Sequence, residues 1–100
     1  MIAKGCTCKN SFLFPFAESD VVVIYITYQQ NGKIVIEKEL EDCTFLDGRV
    51  YVTLTQEDTV KFDNDAIVRI QIRTRLKDGL VSKTKIFETY TDELLKDEVI

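Results

Sequence analysis

The sequence predicts an all-β fold, a two-sheet antiparallel sandwich, on three observations. Val, Ile and Thr each occur ten times in the 100 residues, against eleven for Ala and Leu together. Side chains branched at Cβ suit a pleated surface and crowd a helix. Apolar and polar residues alternate with period two, most cleanly at Val68, Ile70 and Ile72 against Arg69, Gln71, Arg73 and Arg75. Finally, three triplets end in Asn-Gly or Asp-Gly: Gln30-Asn31-Gly32, Leu46-Asp47-Gly48 and Lys77-Asp78-Gly79. Asn-Gly and Asp-Gly between apolar runs are hairpin signals, because Gly takes positive φ without a Cβ penalty.

In chain order, a first strand is expected around Thr7 to Phe14, ending near Pro15. A second runs from Val21 to Gln29 and a third from Lys33 to Leu40. For the turn joining them, a two-residue loop would set Ile26 opposite Glu37. A three-residue loop with Gly32 in a bulge instead pairs Tyr28 with Ile34 and Ile26 with Ile36, and is preferred. Shorter strands follow at Cys43 to Leu46 and Arg49 to Leu54. Leu54-Thr55-Gln56-Glu57-Asp58-Thr59 then reads as a corner: Thr55 and Asp58 form a shortened capping box for one helical turn that crosses between sheets. Leu54, Val60 and Phe62 are expected to plug that end of the core.

A long pair closes the fold, Ala66 to Leu76 and Leu80 to Tyr90. A bulged turn at Gly79 would pair Leu76 with Leu80, Ile72 with Thr84 and Ile70 with Ile86 on the inner face. Val81, Lys83, Lys85 and Phe87 then join Arg69, Arg73 and Arg75 outside. The segment Thr91 to Ile100 fits a short helix capped by Thr91, a tail, or an edge strand ordered by a neighbour. About seven strands spaced roughly 8–12 residues apart make one sandwich domain spanning 1–100.

Composition excludes several chemistries. With no His, a Ser-His-Asp triad, imidazole base catalysis and His-ligated metal are absent, and four scattered glycines make no phosphate-binding loop. No nucleophile, base and orienting group come together at informative spacing, so no enzyme and no cofactor are expected. A net charge of −4 disfavours nucleic acid and anionic lipid as partners. No run approaches the roughly 20 apolar residues that span a bilayer, and no apolar segment precedes Cys6 to act as a signal peptide. An intracellular, cytoplasmic site of synthesis is the expectation.

Cys6, Cys8 and Cys43 are an odd number, and without a fourth ligand they suit reduced, partly buried thiols better than a zinc site. Asp63-Asn64-Asp65 lacks the Gly and Glu of a calcium loop and reads as a solvated acidic loop. Glu37, Glu39 and Glu41 read as a solvated, edge-protecting face. Tyr25, Tyr28, Tyr51 and Tyr90 are candidates for a sugar-stacking platform, although each sits in an apolar run that suits packing.

The candidate contact surface is the basic ridge Arg69, Arg73, Arg75, Lys83 and Lys85. Like charges across a hairpin are destabilising unless something compensates. Acidic strands of the same sheet or solvent are one compensation, and an acidic patch on a partner, including another copy of this chain, is another.

The order of Asn-Gly turn, Leu54-Thr55-Gln56-Glu57-Asp58-Thr59 corner running to Phe62, Ile70-Gln71-Ile72-Arg73 strand and Lys77-Asp78-Gly79 hairpin resembles small phage and prophage proteins of Gram-positive, Clostridium-like bacteria. It is similar to the immunoglobulin-like N-terminal domain of phage baseplate upper proteins, over roughly Gly5 to Ile100. The resemblance implies an immunoglobulin-like sandwich and a non-enzymatic virion role at the tail, baseplate or neck, exerted through contacts with other virion proteins or with copies of itself. It implies a structural role for Leu54, Thr55, Gln56, Thr59 and Phe62 and carries over no catalytic residue. Ending at Ile100, without the extension of the larger baseplate proteins, suggests an accessory or adaptor part. A carbohydrate-binding or surface-adhesion module is the alternative.

Overall fold

The computed structural model describes residues 1–100. Eight strands form: β1 (Cys8–Leu13), β2 (Val21–Gln30), β3 (Lys33–Lys38), β4 (Cys43–Leu46), β5 (Arg49–Leu54), β6 (Ile67–Leu76), β7 (Val81–Lys83) and β8 (Phe87–Tyr90). The one α-helical turn, α1 (Gln56–Thr59), lies between β5 and β6, and 3-10 turns precede β2 and β4. No helix is long and apolar enough to cross a membrane.

One sheet has the order β1-β5-β4, the other β3-β2-β6-β7, with β8 following β7 along the same side of β6. All strand pairs are antiparallel. Hairpins β2–β3 and β6–β7 share the larger sheet, while β1, β4 and β5 make the other. That is the immunoglobulin Greek key with β1 in the place of strand B, so that no strand pairs beyond β1.

Alternation turns one face of each sheet inward. Ile24, Ile26, Tyr28, Ile36, Val68, Ile70 and Ile72 of the larger sheet pack against Phe12, Val50, Val52 and Leu54 of the smaller. The Phe62 ring meets Tyr28 edge-on at 6.2 Å and closes the end beneath the α1 corner. Buried polar groups sit beside this core. The Thr91 hydroxyl donates to the Asp63 carbonyl and accepts from Gln30 Nε2 at 3.2 Å, and Gln30 Oε1 accepts from Asp63 N at 2.7 Å. No buried side-chain nitrogen or oxygen lacks a partner.

Three local differences from expectation have physical causes. Asn31 (φ 52°) and Gly32 (φ 75°) are both left-handed, so the β2–β3 loop has two residues, the primed turn that matches strand twist. The bulge sits within β3 instead: Gln29 faces Ile34, then Tyr28 faces Ile36, with Val35 the extra residue. That slip brings Ile36 inward and leaves Ile26 opposite Lys38, not Glu37. β3 ends at Lys38 because Leu40–Asp42 turn as a 3-10 helix, with Glu39 and Asp42 closing a reciprocal cap.

The last expected strand is two. Through Lys83 the predicted register holds, with Leu76 N donating to Leu80 O and Thr84 N to Ile72 O, both at 2.9 Å. The Thr84 hydroxyl then accepts from Ile72 N at 3.1 Å and donates to Lys85 O at 2.7 Å, pulling the backbone out of the ladder. One residue is gained, so Ile70 faces Phe87 instead of Ile86. Phe87 turns inward, 5.6 Å from the Phe12 ring, and Ile86 turns out.

The C-terminal segment is neither helix nor strand beyond a parallel bridge between Ile2 and Thr91. It crosses the base of the sandwich as an irregular strap. Leu94 packs on Gly5, Lys4 Nζ pairs with Asp97 at 3.0 Å, and Gln56 holds Ile100 through two hydrogen bonds.

Candidate protein–protein interface

Strand parity puts Arg69, Gln71, Arg73 and Arg75 of β6 on the outer face of the larger sheet, opposite the buried Val68, Ile70 and Ile72. The neighbouring strands complete that surface row by row. Arg69 lies between Gln29 and Glu88, Arg73 between Tyr25 and Lys83, and Arg75 between Val23 and Val81. Exposed Ile67 faces Tyr90, and Ile86 borders the same surface. The result is a sheet face of guanidinium and ammonium groups interleaved with aliphatic and tyrosine side chains. An open depression of about 480 Å³ runs along it, between Glu37 and Tyr25 on one side and Arg69, Arg73 and Ile86 on the other.

Charge compensation within the molecule is partial. Arg69 meets Glu88 at 4.0 Å, an exposed pair of small energetic weight. Arg73 and Lys83 oppose each other directly, and neither they nor Arg75 have a carboxylate within ion-pair distance. Acidic strands of the same sheet therefore relieve only one end of the ridge.

Lys85 does not join it. The backbone excursion after Thr84 carries it to the sheet border, where its Nζ stands 5.7 Å from the Phe87 ring centroid, beside Ser11 and Arg49. Glu37, Glu88, Ile86 and Tyr90 were not predicted as members of the face. Glu37 and Tyr90 follow from strand parity once the registers are known, whereas Ile86 is placed by the bulge.

The corner residues act on packing. Thr55 Oγ1 accepts from Asp58 N at 3.2 Å while Asp58 Oδ2 accepts from Thr55 N at 2.9 Å. Lys38 Nζ reaches the same carboxylate at 2.8 Å. Partial burial on its own would raise the Asp58 pKa; the Lys38 ammonium and the Thr55 donors outweigh it and hold the carboxyl below its ordinary value. Leu54, Thr59 and Phe62 are buried, and the Thr59 hydroxyl donates to Cys6 O at 2.8 Å. Gln56 serves the strap.

The remaining candidates are dispersed. Cys6 is exposed, and Cys8 and Cys43 flank β5 from opposite sides as free thiols. Burial raises the Cys8 pKa and pushes that of Cys43 up to about 11. No group of three or more Cys, Asp or Glu is arranged to hold a metal ion. In the acidic loop, Asn64 Oδ1 accepts from the Lys4 ammonium at 3.0 Å and Asp63 Oδ2 from Asn31 at 2.9 Å.

The four tyrosines do not converge. Tyr28 is buried, its pKa raised by that burial, and its hydroxyl accepts from Asn10. Tyr51 belongs to the smaller sheet, and Tyr25 and Tyr90 stand at separate rows of the larger one. No protein-family model, curated protein or solved structure matches this chain.

Proposed function

We propose that the chain is a non-enzymatic structural or accessory protein of a phage or prophage particle, associated with tail, baseplate or neck, that works by docking the outer face of its larger sheet against an acidic protein surface. The observation that carries the docking is the Arg73–Lys83 opposition, uncompensated within the molecule and set among exposed Tyr25, Val81 and Ile86. Like charges placed directly across a ladder cost stability unless a partner supplies the counter-charge. Such a partner is another virion protein or a second copy, since the chain as a whole is acidic. The assignment to a virion rests on the resemblance of the corner and hairpin sequences, and fold alone does not carry function.

The test is charge reversal. Arg73→Glu combined with Lys83→Glu is expected to leave the thermal midpoint within a few degrees, because both side chains are exposed, and to deplete the protein from purified particles at least tenfold. Undiminished incorporation would refute the docking face. Binding to a glycan array, lost on Tyr25→Ala, would favour the carbohydrate-binding alternative for the same depression.

A further inference from the structure

The smaller sheet ends at β1, and nothing in the protein pairs with its far side. Phe14 N donates to Gly48 O across the β1–β5 ladder, so by the two-residue alternation Phe12, Asn10 and Cys8 also direct their backbone groups toward β5. Lys9, Ser11 and Leu13 direct theirs outward. Of these groups, the Ser11 carbonyl is covered by Arg49 Nη2 at 3.3 Å. The three N–H groups are open.

Alongside this edge the two sheets part to leave a crevice of about 560 Å³. Ile2, Phe12, Ile70 and Phe87 form its apolar part, and Arg49 and Lys85 stand at its rim. Neither cation, nor Lys9 on the edge, has a carboxylate partner, and Glu88 at the same rim is turned to Arg69. Open main-chain donors beside an apolar cleft are what an added strand requires, since backbone bonds hold it and alternate side chains fill the cleft.

The chain also contains a segment suited to that place. Asp92–Ile100 is irregular and holds four acids against one Lys. Its Leu95 is 92% and Ile100 99% exposed. Extended, Glu93–Ile100 spans roughly 26 Å, longer than the roughly 20 Å of a six-residue β1. Leu95, Asp97 and Val99 would share one face. In cis the segment is held at the base by Leu94, which packs on Gly5 and donates its N–H to Asn64, by the Lys4–Asp97 pair and by the two Gln56–Ile100 bonds.

We propose that β1 is the acceptor edge for the segment Glu93–Ile100 of a second copy. The added strand takes the Lys9, Ser11 and Leu13 N–H groups and turns Leu95 and Val99 toward the apolar crevice, with Asp97 between them facing Lys85 at its rim. This contact is separate from the Arg73 face, so the two stand or fall independently.

Sedimentation velocity of the full chain from micromolar to millimolar concentration tests it. Wild type is expected to associate as concentration rises. Leu13→Pro removes an edge donor without touching the β1–β5 ladder, at a side chain that is 72% exposed, and Leu95→Lys alters a side chain already in solvent; each alone is expected to remain monomeric with an unchanged melting temperature. An equimolar mixture of the two is expected to regain a dimer, because one variant keeps a competent tail and the other a competent edge. Arg73→Glu is expected to associate like wild type. A monomeric wild type throughout, a mixture that fails to dimerise, or association abolished by Arg73→Glu would each overturn the proposal.

Discussion

Asp58 closes the Thr55 cap and binds Lys38 with the same carboxylate, in a pair whose two side chains are each 15% exposed. Its pKa is lowered in the folded protein, so its contribution to stability is fully present above the unfolded value of about 3.9 and is lost as pH falls through the lower folded value. Asp58→Asn is expected to cost about 1–2 kcal/mol at neutral pH, through a weakened cap and an unpaired Lys38, and to flatten the acid limb of stability. Urea denaturation between pH 2 and pH 7 reads both. The cap was legible because Thr and an acid three residues apart have one geometric use at a helix start. Lys38 as partner was not, since it comes from a strand twenty positions away. Gln30, Thr91 and Lys4 were equally hidden: polar residues read as surface, and only the packed structure reveals the Asp63 backbone and the Asp97 and Asn64 oxygens that make their burial tolerable.

Among the elements, β4 and β5 fall at the expected residues, because the Asp47-Gly48 turn fixes the register of two short alternating runs. The bulges at Val35 and after Thr84 escaped the sequence. One added residue reverses which side chains face inward while leaving composition and turn residues unchanged. The second bulge makes a sharp prediction. Phe87→Ala is expected to lose on the order of 2–3 kcal/mol, less than a fully buried Phe because the ring is only partly covered. Ile86→Ala is expected to stay within about 0.5 kcal/mol. An unbroken strand would give the reverse ranking in the same denaturation series. The basic ridge was readable where the ladder is regular, at Arg69, Arg73, Arg75 and Lys83, and misread at Lys85, which lies inside the second bulge.

At the scale of the molecule, an acidic chain carries Arg73, Arg75 and Lys83 without carboxylate partners on one sheet face, and acidic side chains such as Asp63, Asp65 and Asp92 at the base. Complementary surfaces of this kind steer association and weaken with salt. Composition made the all-β class legible, and turn spacing the single sandwich; which face meets a partner became visible only once register was fixed. The proposed docking role and virion setting are tested together by chemical cross-linking, through lysine, of phage-like particles purified from the organism that encodes the chain, followed by peptide mass spectrometry. The account predicts the protein in those particles, with Lys83 linked to a tail, baseplate or neck protein or to a second copy. Particles that assemble without the protein, or links confined to residues away from the Arg73 face, would contradict it.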